Sequence, residues 1–144
     1  MATPDRVRET LGGYRALRSR SATATALRES VREGLPYASL DAVEKRLGLD
    51  RREIMRVLGV PPRTLARRKA ARRLRPEESD RLYRLGRIAA LAEEVLGTTD
   101  KARRWLHAPN RALGQEPPLN LLDTDLGARE VEDVLLRLAH GIHG

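Results

Sequence analysis

The sequence contains no cysteine and no phenylalanine. The first absence excludes a disulfide scaffold, a thiolate zinc site and a cysteine nucleophile. The second leaves Tyr14, Tyr37, Tyr83 and Trp105 as the whole aromatic complement. Leu, Ala, Val and Ile must therefore build the core, which suits helices. No apolar run approaches the roughly 20 residues that a membrane helix needs. The opening MATPDRVRETLGG lacks the apolar centre of a secretory signal. A cytoplasmic protein without a membrane partner is the expectation. Histidine is also scarce, at positions 107, 140 and 143. His140 and His143 have no third ligand near them in sequence, so no metal site is expected. There is no Gly-rich phosphate loop, Ser/His/Asp set or nucleophile elbow, so neither an enzyme nor a cofactor is expected. The acidic pairs Glu77-Glu78 and Glu93-Glu94 lie near the start and end of one expected helix. The first pair suits the helix dipole, and the second reads as a solvated face.

What is present is helical and unevenly charged. The 144 residues allow one domain, or two small helical ones sharing a core. Residues 1–75 carry 19 Lys+Arg against 8 Asp+Glu, an excess of +11. Residues 76–144 carry 9 against 12, an excess of −3. Such a division points to a polyanion on the first half and a different partner on the second.

Residues 1–37 carry the weakest signals. Val7, Leu11, Tyr14 and Leu17 have helical spacing, RSRSATAT (18–25) reads as a linker, and a short helix over about 24–33 ends at Gly34. The stretch is expected to be a loosely held arm. Beyond it, Ser39 is the expected cap of a helix with Leu40, Val43 and Leu47 on its apolar face. Asp50 and Glu53 form a capping-box pattern for the next, which carries Ile54, Val57 and Leu58. Gly59 and Val60-Pro61 make a turn, and Pro62 opens a third helix to about residue 73. A longer helix over 76–96 has one broad apolar stripe from Leu82 to Leu96. Short helices over about 100–107 and after Asn110 follow, then a final one over about 127–140. The reading is all-α: an arm (1–37), a helix-turn-helix region (38–75) and a helical C-terminal domain (76–144).

Helix, glycine turn, helix over 50–74 is the helix-turn-helix pattern. Between 61 and 75 the chain holds seven basic residues and no acidic one. A helix of that kind fits the major groove with its N-terminal residues toward base edges. Arg63, Thr64, Arg67 and Arg68 are the candidate readers, since arginine grips guanine O6 and N7 with two bonds. Lys69, Arg72 and Arg73 are better placed for phosphates. Pro61 occupies the position of a side-chain cap and supplies none; Pro62 offsets part of that loss by its pre-set φ.

The C-terminal third supplies an ordered set: Trp105-Leu106, Pro109-Asn110, Ala112-Leu113-Gly114, Pro118-Leu119, Leu121-Leu122, Thr124, Gly127, Val131 and Gly141. In this it resembles the toxin-binding domain of the Xre/MbcA/ParS antitoxins. With the helix-turn-helix before it, the resemblance covers about residues 38–144. It implies a cognate RES-domain toxin that consumes NAD⁺ or transfers ADP-ribose, held inactive by an antitoxin that covers its active site. It further implies a homodimer within a larger complex, and repression of the shared promoter through operator DNA. The toxin-binding residues it points to are Trp105, His107, Pro109, Asn110, Arg111, Leu113 and Gly114, with His140, Gly141 and Ile142 near the toxin's active-site entrance. Read for packing alone, Trp105 is a core anchor, Pro109-Asn110 a helix stop and cap, and Gly114 a turn. Most of the motif is then scaffold, and the interface is the exposed surface around 107–118 and the final helix. A dimeric helix-turn-helix regulator with no toxin partner is the alternative, and a basic nucleoid-type protein without sequence preference is a third reading.

Overall fold

The computed structural model describes residues 2–17 and 23–141, the side chain of Tyr14 excepted. Nine α-helices occur among them. They are α1 (Pro4–Thr10), α2 (Gly13–Leu17), α3 (Ala24–Glu33), α4 (Tyr37–Leu47), α5 (Arg51–Leu58), α6 (Pro62–Ala71), α7 (Pro76–Leu96), α8 (Thr99–His107) and α9 (Asp125–Ala139). Two 3-10 turns, Arg111–Leu113 and Pro118–Leu121, fill the segment between α8 and α9. The described residues contain isolated bridges but no strand, so the fold is all-α as the periodicity requires.

Helix α7 is the spine. It touches α1, α3, α4 and α5 on one side and α8 and α9 on the other. Leu82, Leu85, Ile88, Ala89, Ala90, Leu91 and Ala92 are all buried, so this helix is covered around most of its circumference over its later turns. Small residues let neighbours come close. A Cβ on Gly86 would stand 3.1 Å from Leu11 Cδ2, so α1 packs directly on the α7 backbone.

That contact corrects the expectation for the first 37 residues. Their described part is no loose arm: Val7, Leu11, Leu27, Leu35 and Tyr37 are buried in the same continuous core as the rest of the chain. Residues 18–22, the greater part of the expected linker, lie outside the described residues; Thr23 already caps α3 by accepting from the Ala26 backbone N–H at 3.1 Å. The sequence signal was weak because each helix is short and contributes only one or two apolar side chains. Burial comes from summing three such helices against α7 and α4.

Helix α4 begins two residues before the expected cap. Pro36 precedes it, and Ser39, expected as the cap, is fully buried inside it. The chain around Pro36 is fixed from outside: Leu74 N–H donates to Leu35 O at 2.9 Å, and Tyr37 N–H to Arg72 O at 3.1 Å. These bonds join the end of α6 to the start of α4 and close the three helices into one unit. Asp50 and Glu53 form the expected capping box at the head of α5, each side chain accepting from the other residue's backbone N–H at 2.9 Å.

Replacing Leu11, which is fully buried, with alanine is expected to destabilise the protein by about 2–5 kcal/mol. Chemical denaturation measures this. A loss below about 0.5 kcal/mol, the scale of a surface substitution, would show that α1 is not part of the folded core.

Candidate functional site

Two surfaces carry the residues singled out in the sequence. The first is α6. Gly59 ends α5 at φ 68°, a left-handed conformation that makes the sharp turn without the strain of a side chain. Pro61 precedes α6 and provides no side-chain cap, and Pro62 starts the helix, both as expected. Leu65 is the one buried residue of α6 and docks it on the core with Ile54 and Leu58 of α5.

The seven basic residues of 61–75 separate into two groups. Arg68 and Arg73 bond to other parts of the protein. Arg68 Nε donates to Glu78 Oε1 at 2.8 Å, with side-chain exposures of 15% and 7%, which makes this a largely desolvated ion pair. The same Glu78 oxygen accepts the Arg75 backbone N–H at 2.9 Å at the head of α7. Arg68, expected among the base readers, therefore holds α6 against α7. Arg73 Nη1 donates to the Gly34 carbonyl at 2.7 Å and so helps close the unit, while the residue as a whole is exposed. Arg63, Arg67, Lys69, Arg72 and Arg75 are exposed. Arg63, Arg67 and Lys69 make no side-chain hydrogen bond or ion pair among the described residues. Thr64 is half-buried beside them and lines the same open hollow as Pro61, Pro62, Arg63 and Arg67. Arg72 ends α6 at φ 60°, a conformation that glycine normally fills.

The second surface is the C-terminal motif, and most of it is scaffold. Leu106, Leu113, Pro118, Leu119, Leu122 and Val131 are buried. Trp105 is only half-buried against the core, so it is a partial anchor rather than a central one. Asn110 caps the first 3-10 turn by accepting from the Ala112 backbone N–H at 3.0 Å. Gly114 ends that turn at φ 66°. Thr124 caps α9 through the Gly127 backbone N–H at 2.9 Å. Gly127 is needed for a second reason: a Cβ there would collide with the Leu121 carbonyl, so the chain before α9 folds directly over the helix's first turn. Ala108, Pro109, Arg111, Ala112 and Gly114 remain exposed, as do His140 and Gly141 at the end of α9. Ile142 and the two residues after it lie outside the described residues. Leu126, at 71% exposure, and Leu138, at 40%, are the large exposed apolar side chains of α9.

His107 is engaged within the chain. Its Nδ1 lies 2.8 Å from the Arg103 carbonyl and its Nε2 lies 3.3 Å from Glu53, the capping carboxylate of α5. Further bonds run the same way. Arg56 of α5 donates to Asn120 at 2.8 Å, Arg81 of α7 to the Leu58 carbonyl at 2.8 Å, and Arg103 of α8 to the Arg46 carbonyl at 3.0 Å. Arg46 itself reaches Glu93 with two bonds of 2.6 and 2.9 Å. That hydrogen bonding raises the Arg46 pKa above the ordinary arginine value, against the opposing effect of burial. Glu93, read from sequence as part of a solvated face, is thus a buried partner. The signal for this in the sequence is an acid on the last turns of a helix whose dipole disfavours it. The helix-turn-helix and the C-terminal helices are pinned together at several points across α7.

Among the described residues no group of His, Asp and Glu is placed to hold a metal ion, and no helix is long and apolar enough to cross a membrane.

This arrangement, a helix-turn-helix locked through a central helix to a capped helical C-terminal domain, agrees with the relatives. Residues 26–87 match the antitoxin Xre-like helix-turn-helix domain. Residues 91–141 match the antitoxin Xre/MbcA/ParS C-terminal toxin-binding domain. An antitoxin Xre of Yersinia enterocolitica is 36% identical over 120 residues, covering 82% of this chain and 81% of that protein. An antitoxin Xre of Photorhabdus laumondii is 32% identical over 124 residues, covering 85% and 84%. In structure, the fold superposes on a chain of the M. tuberculosis MbcT–MbcA toxin–antitoxin complex with a TM-score of 0.56 and 28% identity, covering 82% of this chain and 97% of that one. The chain belongs to the Xre antitoxins of toxin–antitoxin systems, whose role is not enzymatic.

Breaking the Arg68–Glu78 pair by Arg68→Ala leaves a buried carboxylate without its cation and is expected to cost about 3 kcal/mol. Thermal and urea denaturation measure it. Stability unchanged to within about 0.5 kcal/mol would return Arg68 to the set of exposed basic residues. Trp105→Ala is expected to cost about 2 kcal/mol, below the roughly 3–5 of a fully buried tryptophan. A full-size loss would make it the central anchor.

Proposed function

We propose that this chain neutralises a cognate RES-domain toxin, an enzyme that consumes NAD⁺ or transfers ADP-ribose, and represses its own operon by binding operator DNA. The single observation that carries the DNA half is the outer face of α6, where Arg63 and Arg67 are exposed and unpaired in a stretch without any acid. A helix held this firmly on its inner side and left cationic on its outer side fits the major groove. Lys69 and Arg72 are the phosphate contacts, and each such contact steepens the salt dependence of binding by about one unit.

The toxin half rests on the match of residues 91–141 to a toxin-binding domain and on the resemblance to antitoxins of RES toxins. With Leu113 buried and Trp105, His107 and Asn110 engaged within the chain, the partner surface is drawn from Ala108, Pro109, Arg111, Ala112 and Gly114 together with the end of α9. The proposed blocking element is the terminal segment from His140 through Gly141 and Ile142. The working form is a homodimer within a larger toxin–antitoxin assembly in the cytoplasm.

Co-expression with the neighbouring reading frame tests the toxin half, with growth and cellular NAD⁺ as readouts. Growth arrest by the neighbour alone, relieved when this chain co-purifies with it, is expected. A harmless neighbour, or no complex, would leave a dimeric DNA-binding regulator as the better reading. Arg63→Ala with Arg67→Ala is expected to weaken promoter binding by at least about tenfold while growth rescue persists, because neither side chain makes a hydrogen bond or ion pair among the described residues. Loss of both functions in a folded variant would contradict this division of labour. Removing residues 140–144 is expected to restore toxin activity more than it weakens toxin binding, measured by pull-down beside NAD⁺ consumption; equal losses would remove the blocking role.

A further inference from the structure

Which bases α6 reads follows from what its outer face carries. We propose that α6 reads guanine through Arg63 and Arg67 and the 5-methyl groups of thymine through Ala66 and Ala70, an inference that rests on the DNA-binding reading above. Leu65 is buried and Arg68 is paired with Glu78, so these two residues mark the inward face of the helix. With 3.6 residues per turn, positions 63, 66, 67 and 70 fall on the outward side. All four are exposed. The outer face is therefore two arginines alternating with two methyl groups.

That composition is selective in a way that charge alone is not. A protein needing only a cationic helix gains no phosphate contact from short side chains between its arginines. Lysine or arginine there would add phosphate contacts. Methyl groups at 66 and 70 instead let the helix backbone approach the floor of the groove. They also present an apolar surface that matches one feature of the major groove, the thymine methyl, while a guanidinium takes guanine O6 and N7 with two bonds. Lys69 lies toward α5, in the cleft lined by Tyr37, Arg51 and Met55, which Ala66 also lines from the outer side of the helix, and Arg72 follows the last helical residue. Both are placed at the flanks, where phosphates run. Arg68 belongs to neither group; it is a positioning residue that sets the tilt of α6 through Glu78.

Alanine also favours helices for reasons unconnected with DNA, so the test alters the DNA rather than the protein. Full-length protein is used to select duplexes from a randomised library. The enriched half-site is expected to contain guanine together with thymine. Replacing each selected thymine by uracil removes only the methyl group. At the contacted position this is expected to weaken binding about fourfold, the worth of one buried carbon. The same replacement is expected to have no effect on Ala66→Gly or Ala70→Gly, according to which alanine makes the contact. An enriched motif that tolerates uracil at every position, or a uracil effect that persists undiminished in both glycine variants, would overturn the inference while leaving DNA binding intact. DNA binding without any enriched motif would do the same. Absence of binding to any duplex would overturn the DNA-binding reading itself. Should the glycine variants lose helix content by circular dichroism, uracil replacement against the unaltered chain decides the question alone.

Discussion

Two carboxylates on one helix organise this protein. Glu78 and Glu93, near the two ends of α7, are almost fully buried, and each takes an arginine from the helix-turn-helix unit: Arg68 of α6 and Arg46 of α4. A buried carboxylate without a cation is costly, so packing that separates either pair is disfavoured. The apolar stripe of α7 supplies the driving force for packing, since burial is roughly proportional to area and indifferent to direction. The ion pairs supply the direction. They fix where α6 stands relative to α7, and hence which of its sides is left outward.

The same spine explains why the two candidate surfaces lie apart yet belong to one structure. Residues of α7, α8 and the segment after it hold α5 by its carbonyl end, its last-turn arginine and its capping carboxylate, through Arg81, Asn120 and His107. The C-terminal domain thus serves as the platform on which the helix-turn-helix is mounted. The N-terminal helices complete the arrangement from the other side, with Leu11 against the backbone of Gly86. What the platform does not consume is the outer face of α6, and the exposed residues between Ala108 and Gly114 with the end of α9.

The family motif is largely a record of this construction. Thr124 and Gly127 are a cap and a close approach, Asn110 a cap, Gly114 a turn, and the leucines core. A motif of this kind identifies the domain without locating its binding surface. The residues that meet a partner are those that the fold leaves exposed.

The elements themselves were legible from the chain. Helical periodicity, the Asp50–Glu53 capping box, Gly59, the Pro62 start and the 76–96 stripe are local signals, each set by neighbours within a few positions, and the helices formed where these signals lie. Local signals also misled where the decisive partner was remote. Ser39 has the chemistry of a cap, yet α4 starts earlier because the end of α6 bonds to the chain beside Pro36. Residues 1–37 have too few apolar side chains to stand alone, yet their described helices pack because α4 and α7 offer them a surface. Above all, seven basic residues in a stretch without an acid could not be sorted in advance into those that hold the fold and those that face outward. Arg67 and Arg68 are adjacent and chemically identical; one is exposed and the other is pinned to a buried glutamate. Sequence determined the helices, their caps and the sign of the charge. Only the tertiary structure decided which charges remain for a partner, because that depends on buried carboxylates brought close by packing between elements and not by proximity along the chain.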